Sequence, residues 1–375
     1  FNGFEAIKTT LDPELFNELK LNPFVADIDT NEKFQAFSFI PNKKSSNHDF
    51  EEYEEEEEEE EDDDNDDKDN NKKDKDNNGI AIQYTAPRHL VRLSRRSKLS
   101  LDDSSNLNYY YQNKFTGKDV SVYILDTGIA ANHPQLGGRV RHGESFVNEP
   151  SGDFNGHGSH VAGIVGSKDY GVCKNCELVE VKCLNKNGQG DLTTVISAIE
   201  FAVGDMIKTG KKSVANLSLG SFRSKILNEA VKAAVDNGMV MVVAAGNSNM
   251  NACLNSPASE PAAITVGAID DKNDQIASFS NWGECVDIFA SGVKVESLSF
   301  SDFDNPVKFS GTSMATPSVA GLAAVLLDMG VKNDQIKDKL IAFSSKDFIK
   351  RRHLLMRPRT PNRLLFNGVS SAENE

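Results

Sequence analysis

The sequence predicts an α/β fold: a central parallel sheet with helices packed on both faces. Three observations carry this. First, compact apolar runs at 120–125, 178–184, 214–219, 239–245 and 264–268 have strand length and no polar face. Second, helical spacing lies between them: Leu192, Val195, Ile196, Ile199 and Val203 within 191–207, then 226–237 with Gly238 where a helix would end. Third, strands alternate with helices, which is the pattern of parallel crossovers. Chemistry in such sheets sits beyond the carboxyl ends of the strands. Asp126, Gly220 and Asn247 each follow an apolar run directly and so fall on that edge.

The chain has three segments: 1–44, 45–85 and 86–375. In the first, Leu11, Leu15, Leu19 and Leu21 predict a short amphipathic helix beginning at Asp12-Pro13. Residues 3–7 and 25–28 alternate as strands do, predicting a small α+β unit too short to bury a core alone. The second segment is low in complexity. Between Asp49 and Asp76 there are 19 Asp/Glu and 4 Lys, and residues 54–64 are all acidic. Self-repulsion and the scarcity of apolar groups predict a disordered, solvated linker there. This stretch accounts for the whole formal charge of −15, so the remainder of the chain is neutral. Neutrality without a basic patch argues against nucleic acid as a partner. No apolar run of about 18 residues predicts a membrane span. The chain starts at Phe1 rather than Met, so a signal peptide would lie upstream of it. Five cysteines allow at most two bridges, too few for a disulfide scaffold.

Three motifs carry chemistry together that none carries alone. In Ile124-Leu125-Asp126-Thr127-Gly128 an acid ends a strand, which on its own also suits a turn. In Asn155-Gly156-His157-Gly158-Ser159-His160 a glycine-flanked histidine opens an apolar helix. A zinc pair would need a third ligand at suitable spacing, and none is near; His160 reads as structural. In Gly311-Thr312-Ser313-Met314-Ala315-Thr316-Pro317 a serine stands at a helix start, where an ordinary N-cap also belongs. Serine needs a base to become a nucleophile, and a carboxylate orients the imidazole that serves as that base. The oxyanion formed on attack needs fixed donors; the Asn247 amide, just past a strand, and the Ser313 backbone N–H supply them.

Asp–His–Ser in that order, with Asp-Thr-Gly, Gly-His-Gly-Ser-His, Ala-Gly-Asn and Gly-Thr-Ser-Met-Ala-Thr-Pro, resembles the subtilases; other serine hydrolases run their triads in other orders. The segments at 168–172, 214–220, 256–259 and 279–283 are most similar to the proteinase-K-like branch, in particular the fungal vacuolar proteinase B (cerevisin) group. The likeness covers roughly 86–369 and implies a subtilisin-like three-layer fold. A kexin-type reading lacks the further β-domain. The resemblance implies a serine endopeptidase acting on polypeptide substrates, with no cofactor required for the chemistry. A catalytically silent subtilase fold that binds or scaffolds is the alternative.

The resemblance implies more, residue by residue. Substrate would bind as an added strand between Gly188-Gln189-Gly190 and Ser218-Leu219-Gly220. A structural Ca²⁺ would be held by the carbonyls of Pro261 and Ala263 and the carboxylate of Asp287. Residues 1–44 resemble the second half of a ferredoxin-like inhibitory propeptide, making the chain a zymogen that is inhibited by its own propeptide. Cleavage is expected shortly before Ala86, leaving a monomer once matured. Cys253 and Cys285 would form a bridge, in keeping with the secretory pathway and a vacuolar, extracellular or wall location. Cys173 and Cys176 read as free thiols or a local bridge. Asn216-Leu217-Ser218 is a glycosylation sequon in a strand expected to be buried, and is expected to be unmodified. Ser159, Ser221 and Ser318 depart from the family pattern, and Ser318 stands close behind the nucleophile.

Overall fold

The computed structural model describes residues 3–38, 79–99 and 107–369. The acidic tract expected as a linker lies outside the described residues. The chain opens with α1 (Pro13–Lys20), capped by Asp12, whose carboxylate accepts from the N–H groups of Glu14 and Leu15 at 2.9 and 2.8 Å. Strand β1 (Lys33–Ala36) follows. The alternating stretches 3–7 and 25–28 are not strands. Alternation becomes a strand only where one face meets an apolar layer, and Ile7 is 91% exposed. The expected α+β unit is thus one helix and one strand among the described residues.

The folded unit resumes before Ala86. Strand β2 (Ile80–Gln83) pairs antiparallel with β3 (Tyr109–Gln112) over four residues. Between them α2 (Arg88–Leu93) buries Leu90, Val91 and Leu93 in the core. A cut just before Ala86 would therefore strip a paired strand from the domain.

The central sheet is built from β4 (Val120–Asp126), β5 (Val140–Ser145), β6 (Glu177–Lys182), β8 (Lys212–Leu217), β10 (Val240–Ala244), β12 (Ile264–Asp270) and β14 (Ile288–Ser291), all parallel to their neighbours. Its order is β5-β6-β4-β8-β10-β12-β14, extended by β18 (Arg363–Leu364) and β17 (Ser345–Lys346), with β13 (Gln275–Ile276) alongside β12. Successive side chains of β4 leave on opposite faces. Val120, Val122 and Ile124 enter one core with α3 (His157–Gly166) and α6 (Thr312–Asp328). Tyr123 and Leu125 enter the other with α4 (Leu192–Thr209) and α5 (Lys225–Asp236). Burial on both faces is why the strands read as unbroken apolar runs. Helix α5 stops at Asn237 because Gly238 takes the left-handed conformation, φ 93°. A hairpin of β15 (Val295–Ser297) and β16 (Val307–Phe309) lies outside the sheet, and α7 (Ile336–Phe343) and α8 (Arg351–Leu354) follow α6.

One predicted run is split. Residues 214–219 divide at Ser218 into β8 and β9 (Leu219–Phe222), and β9 leaves the central sheet. It joins a second, four-stranded sheet of order β11-β9-β1-β7, where β7 is Gln189–Asp191 and β11 is Asn255–Ser256. The amino-terminal segment thus contributes β1 to the middle of a sheet at the carboxyl edge of the domain.

Candidate active site

Asp126 ends β4 and is fully buried. Its Oδ1 accepts from the Thr127 N–H at 2.7 Å and faces His157 Nδ1 at 2.7 Å. A carboxylate on Nδ1 fixes the proton there and leaves Nε2 as the basic nitrogen. Nε2 of His157 is buried and has no hydrogen-bond partner among the described residues. His157 is the first residue of α3, and its neighbours explain the glycines. A Cβ on Gly158 would lie 2.1 Å from the Gly128 carbonyl oxygen, so strand end and helix start meet in direct contact.

A residue outside the motifs braces this junction. Asp153 Oδ1 accepts from the Thr127 hydroxyl and the N–H groups of Asn155 and Gly156, each at 2.9 Å. Its Oδ2 accepts from the Ser159 N–H at 2.9 Å and hydroxyl at 2.7 Å. Thr127 Oγ1 in turn accepts from the Gly158 N–H at 2.9 Å. One carboxylate therefore ties the loop after Asp126 to the first turn of α3. The only sequence signal was an acid shortly before the histidine motif. Ser159, a departure from the pattern that the resemblance implies, fills its place in this network. His160 is structural, as read: Nε2 meets the carbonyls of Val295 and Val307 at 3.0 and 3.1 Å, and its ring stacks on Phe309 with centroids 4.4 Å apart. Burial depresses its pKa to about 3, and that of the buried His89 to about 4.

Ser313 is the second residue of α6, in the turn whose backbone N–H groups have no acceptor within the helix. Its hydroxyl donates to the Ser218 carbonyl at 2.9 Å. Asn247 lies just beyond β10. Its Oδ1 accepts from the N–H and the hydroxyl of Thr312, both at 2.9 Å. That pair fixes the amide so that Nδ2 points outward, where it donates to the carbonyl oxygen of Phe37 at 2.9 Å. Thr312 was not singled out from sequence, although it adjoins the nucleophile. Ser318 is buried with its Oγ unpartnered among the described residues.

The six residues expected to flank substrate hold β1 between them. Ala36 N–H donates to the Gly188 carbonyl at 3.0 Å, and Phe37 N–H donates to the Ser218 carbonyl at 3.3 Å. Gln35 stands opposite Gln189 and Gly220, Phe34 opposite Gly190, and Ala36 opposite Leu219. Phe34 is fully buried. The Phe37 ring lies against Gly220 and near Gly246: Cβ atoms there would stand 2.5 and 3.7 Å from it. Ser221 lies one residue beyond the part of β9 that pairs with β1 and stands opposite Ser256 of β11. The approach to β1 is held by helix starts. Leu192 N–H donates to the Glu32 carbonyl at 2.9 Å, Thr193 N–H to Asn31 Oδ1 at 3.1 Å, and the Ser224 hydroxyl to Asp29 Oδ2 at 2.6 Å.

The three oxygens expected to hold calcium do converge, but on a side chain. Lys337 Nζ donates to the Pro261 and Ala263 carbonyls at 2.9 and 2.8 Å and stands 2.8 Å from Asp287 Oδ2. The Lys337 ammonium occupies the point to which the three oxygens are directed. Burial pushes the Asp287 carboxyl up, and Lys337 with the Thr265 N–H opposes this. Cys253 and Cys285 are joined with S–S 2.06 Å. Cys173 pairs locally with Cys176, and Cys183 is free and buried. Asn216 is fully buried, its Nδ2 donating to the Ser218 hydroxyl at 3.0 Å. No helix among the described residues is long and apolar enough to cross a membrane.

The Subtilase family profile matches residues 117–356. Subtilase-type proteinase RRT12 of Saccharomyces cerevisiae is 45% identical over 99% of this chain and 75% of its own length. Cerevisin from the same yeast is 40% identical over 76% of this chain and 47% of its own length. The crystal structure of a cold adapted subtilisin-like serine proteinase superposes with a TM-score of 0.67 at 38% identity, covering 76% of this chain and 99% of that one. The matched span runs from the strand that carries Asp126 to beyond the helix that carries Ser313, and the chain belongs to the subtilase family of serine endopeptidases.

Proposed function

We propose that this endopeptidase works through Asp126, His157 and Ser313, with Asn247 Nδ2 and the Ser313 N–H as oxyanion donors, and that it is made as a zymogen whose own first substrate is the Phe37–Ser38 bond. The observation that carries this is the Phe37 carbonyl on the Asn247 amide, at the end of a strand laid in the cleft. Ser313 turns from the Ser218 carbonyl toward His157 Nε2 and adds to the Phe37 carbonyl carbon, while Nε2 takes its proton. The oxyanion rests on the two N–H donors. Collapse breaks the Phe37–Ser38 C–N bond, and His157 returns the proton to the departing amine. Water, activated by the same nitrogen, then releases the Phe37 carboxylate. The cut segment stays paired on both sides and competes with substrate until it is removed. The Cys253–Cys285 bridge supports synthesis in the oxidising secretory pathway.

The test is amino-terminal sequencing of the full chain and its Ser313→Ala variant, with fluorophosphonate labelling of both. The expected result is a new terminus at Ser38 and a labelled protein, both absent from the variant. A first terminus just before Ala86 instead would move the cut to the end of the acidic segment. Neither cleavage nor labelling would favour a catalytically silent fold.

A further inference from the structure

We infer that Lys337 is a built-in cation that takes the place of a bound calcium ion at the Pro261, Ala263 and Asp287 oxygens, so that this part of the fold is independent of calcium.

The geometry is that of a saturated ammonium. Lys337 Nζ has three donors and meets three oxygens at 2.9, 2.8 and 2.8 Å. These are charge-assisted hydrogen-bond lengths, whereas calcium takes six to eight oxygens at about 2.3–2.6 Å. The oxygens come from two places in the sheet. Pro261 and Ala263 lead into β12, and Asp287 leads into β14. Asp287 Oδ2 also accepts the Thr265 N–H at 2.9 Å, so the carboxylate is fixed from the strand side.

Lys337 is the second residue of α7. The field at a helix start disfavours a cation there, so the oxygens rather than the helix explain its position. Its side chain is 28% exposed and that of Asp287 17%, so the contact is only partly screened by water. The lysine therefore fastens α7 to the starts of two neighbouring strands, and its charge is delivered with the chain itself.

The test uses the full chain carrying Ser313→Ala, which removes self-cleavage without touching this site. Unfolding temperature is measured in EGTA and in millimolar calcium. Asp287→Asn is expected to lower it by about 2–5 °C, equally in both buffers. A loss confined to calcium would mean that the carboxylate holds the ion, and would overturn the inference. Lys337→Ala is expected to fall by a similar amount in EGTA and to regain part of the loss in calcium. Adding Asp287→Asn should abolish that regain. A Lys337→Ala chain as stable as its parent in EGTA, or one that regains nothing in calcium, would equally overturn it. Should Lys337→Ala fail to fold, the two-buffer comparison of Asp287→Asn decides alone.

Discussion

The Phe37 carbonyl oxygen lies 2.9 Å from the amide nitrogen of Asn247, whose own oxygen is held twice by Thr312. On the proposed mechanism, an amide fixed in this way is already oriented for the negative charge that appears on attack. Asn247→Ala is expected to lower kcat on a peptide substrate by about 10²–10³ with little change in KM. Steady-state kinetics on the matured enzyme checks this; an equal rise in KM would mean that the amide only binds.

Gly220 sets the room beside Phe37. A Cβ there would come within 2.5 Å of the ring. Gly220→Ala is expected to lower kcat/KM by roughly 10–100-fold for substrates with Phe before the cut, and far less for those with Ala. Paired chromogenic peptides measure the ratio, and equal losses on both would place the effect elsewhere.

The buried histidines set an acid limit on stability. His89 and His160 have pKa values depressed by burial, to about 4 and about 3. Unfolded, each binds a proton near its ordinary 6.5. The folded state takes up that proton later than the unfolded one, so protonation favours unfolding. Their stabilisation is complete above about pH 6.5 and is lost as pH falls toward 4. For His89 alone the loss is on the order of 3 kcal/mol. The unfolding temperature of the Ser313→Ala chain should fall across that window, and His89→Gln should flatten the slope.

The Cys253–Cys285 bridge closes a separation of 32 residues. Replacing both cysteines by alanine is expected to cost roughly 3–4 kcal/mol. Denaturant unfolding of the paired variant under non-reducing conditions measures it; an unchanged midpoint would show that the loop is held by packing alone.

What was legible in the sequence follows from range. Asp126, His157, Ser313 and Asn247 sit in short motifs whose neighbours state their geometry, such as the glycine on each side of His157. The residues at 188–190 and 218–220 were legible as walls that an added strand could fill. Their occupant was not, because Lys33–Ala36 becomes a strand only by pairing with residues far along the chain. Asp153 and Thr312 brace the site through bonds across 26 and 65 residues that no local pattern announces. Lys337 lies among polar helix residues and reads as a surface lysine until the Ala263 carbonyl, 74 residues away, is brought to it. The alternation at 3–7 misled because period alone does not say whether an apolar layer is present to receive it.

The place of β1 in its sheet has one more consequence. Among the described residues it is the only strand joining β7 to β9. With neighbouring strands about 4.8 Å apart, its departure leaves a slot roughly 10 Å across, with unpaired backbone groups on both walls. A helix, about 10–12 Å across with its side chains, fills the slot with its backbone groups already paired internally, and a hairpin brings two strands where one fits. Only a chain drawn out singly over several residues can satisfy both walls. On the proposed function, substrate takes that slot once β1 has left it, so local unfolding of the target is expected to come before any side chain is read, and compact proteins should resist cleavage until a segment comes loose.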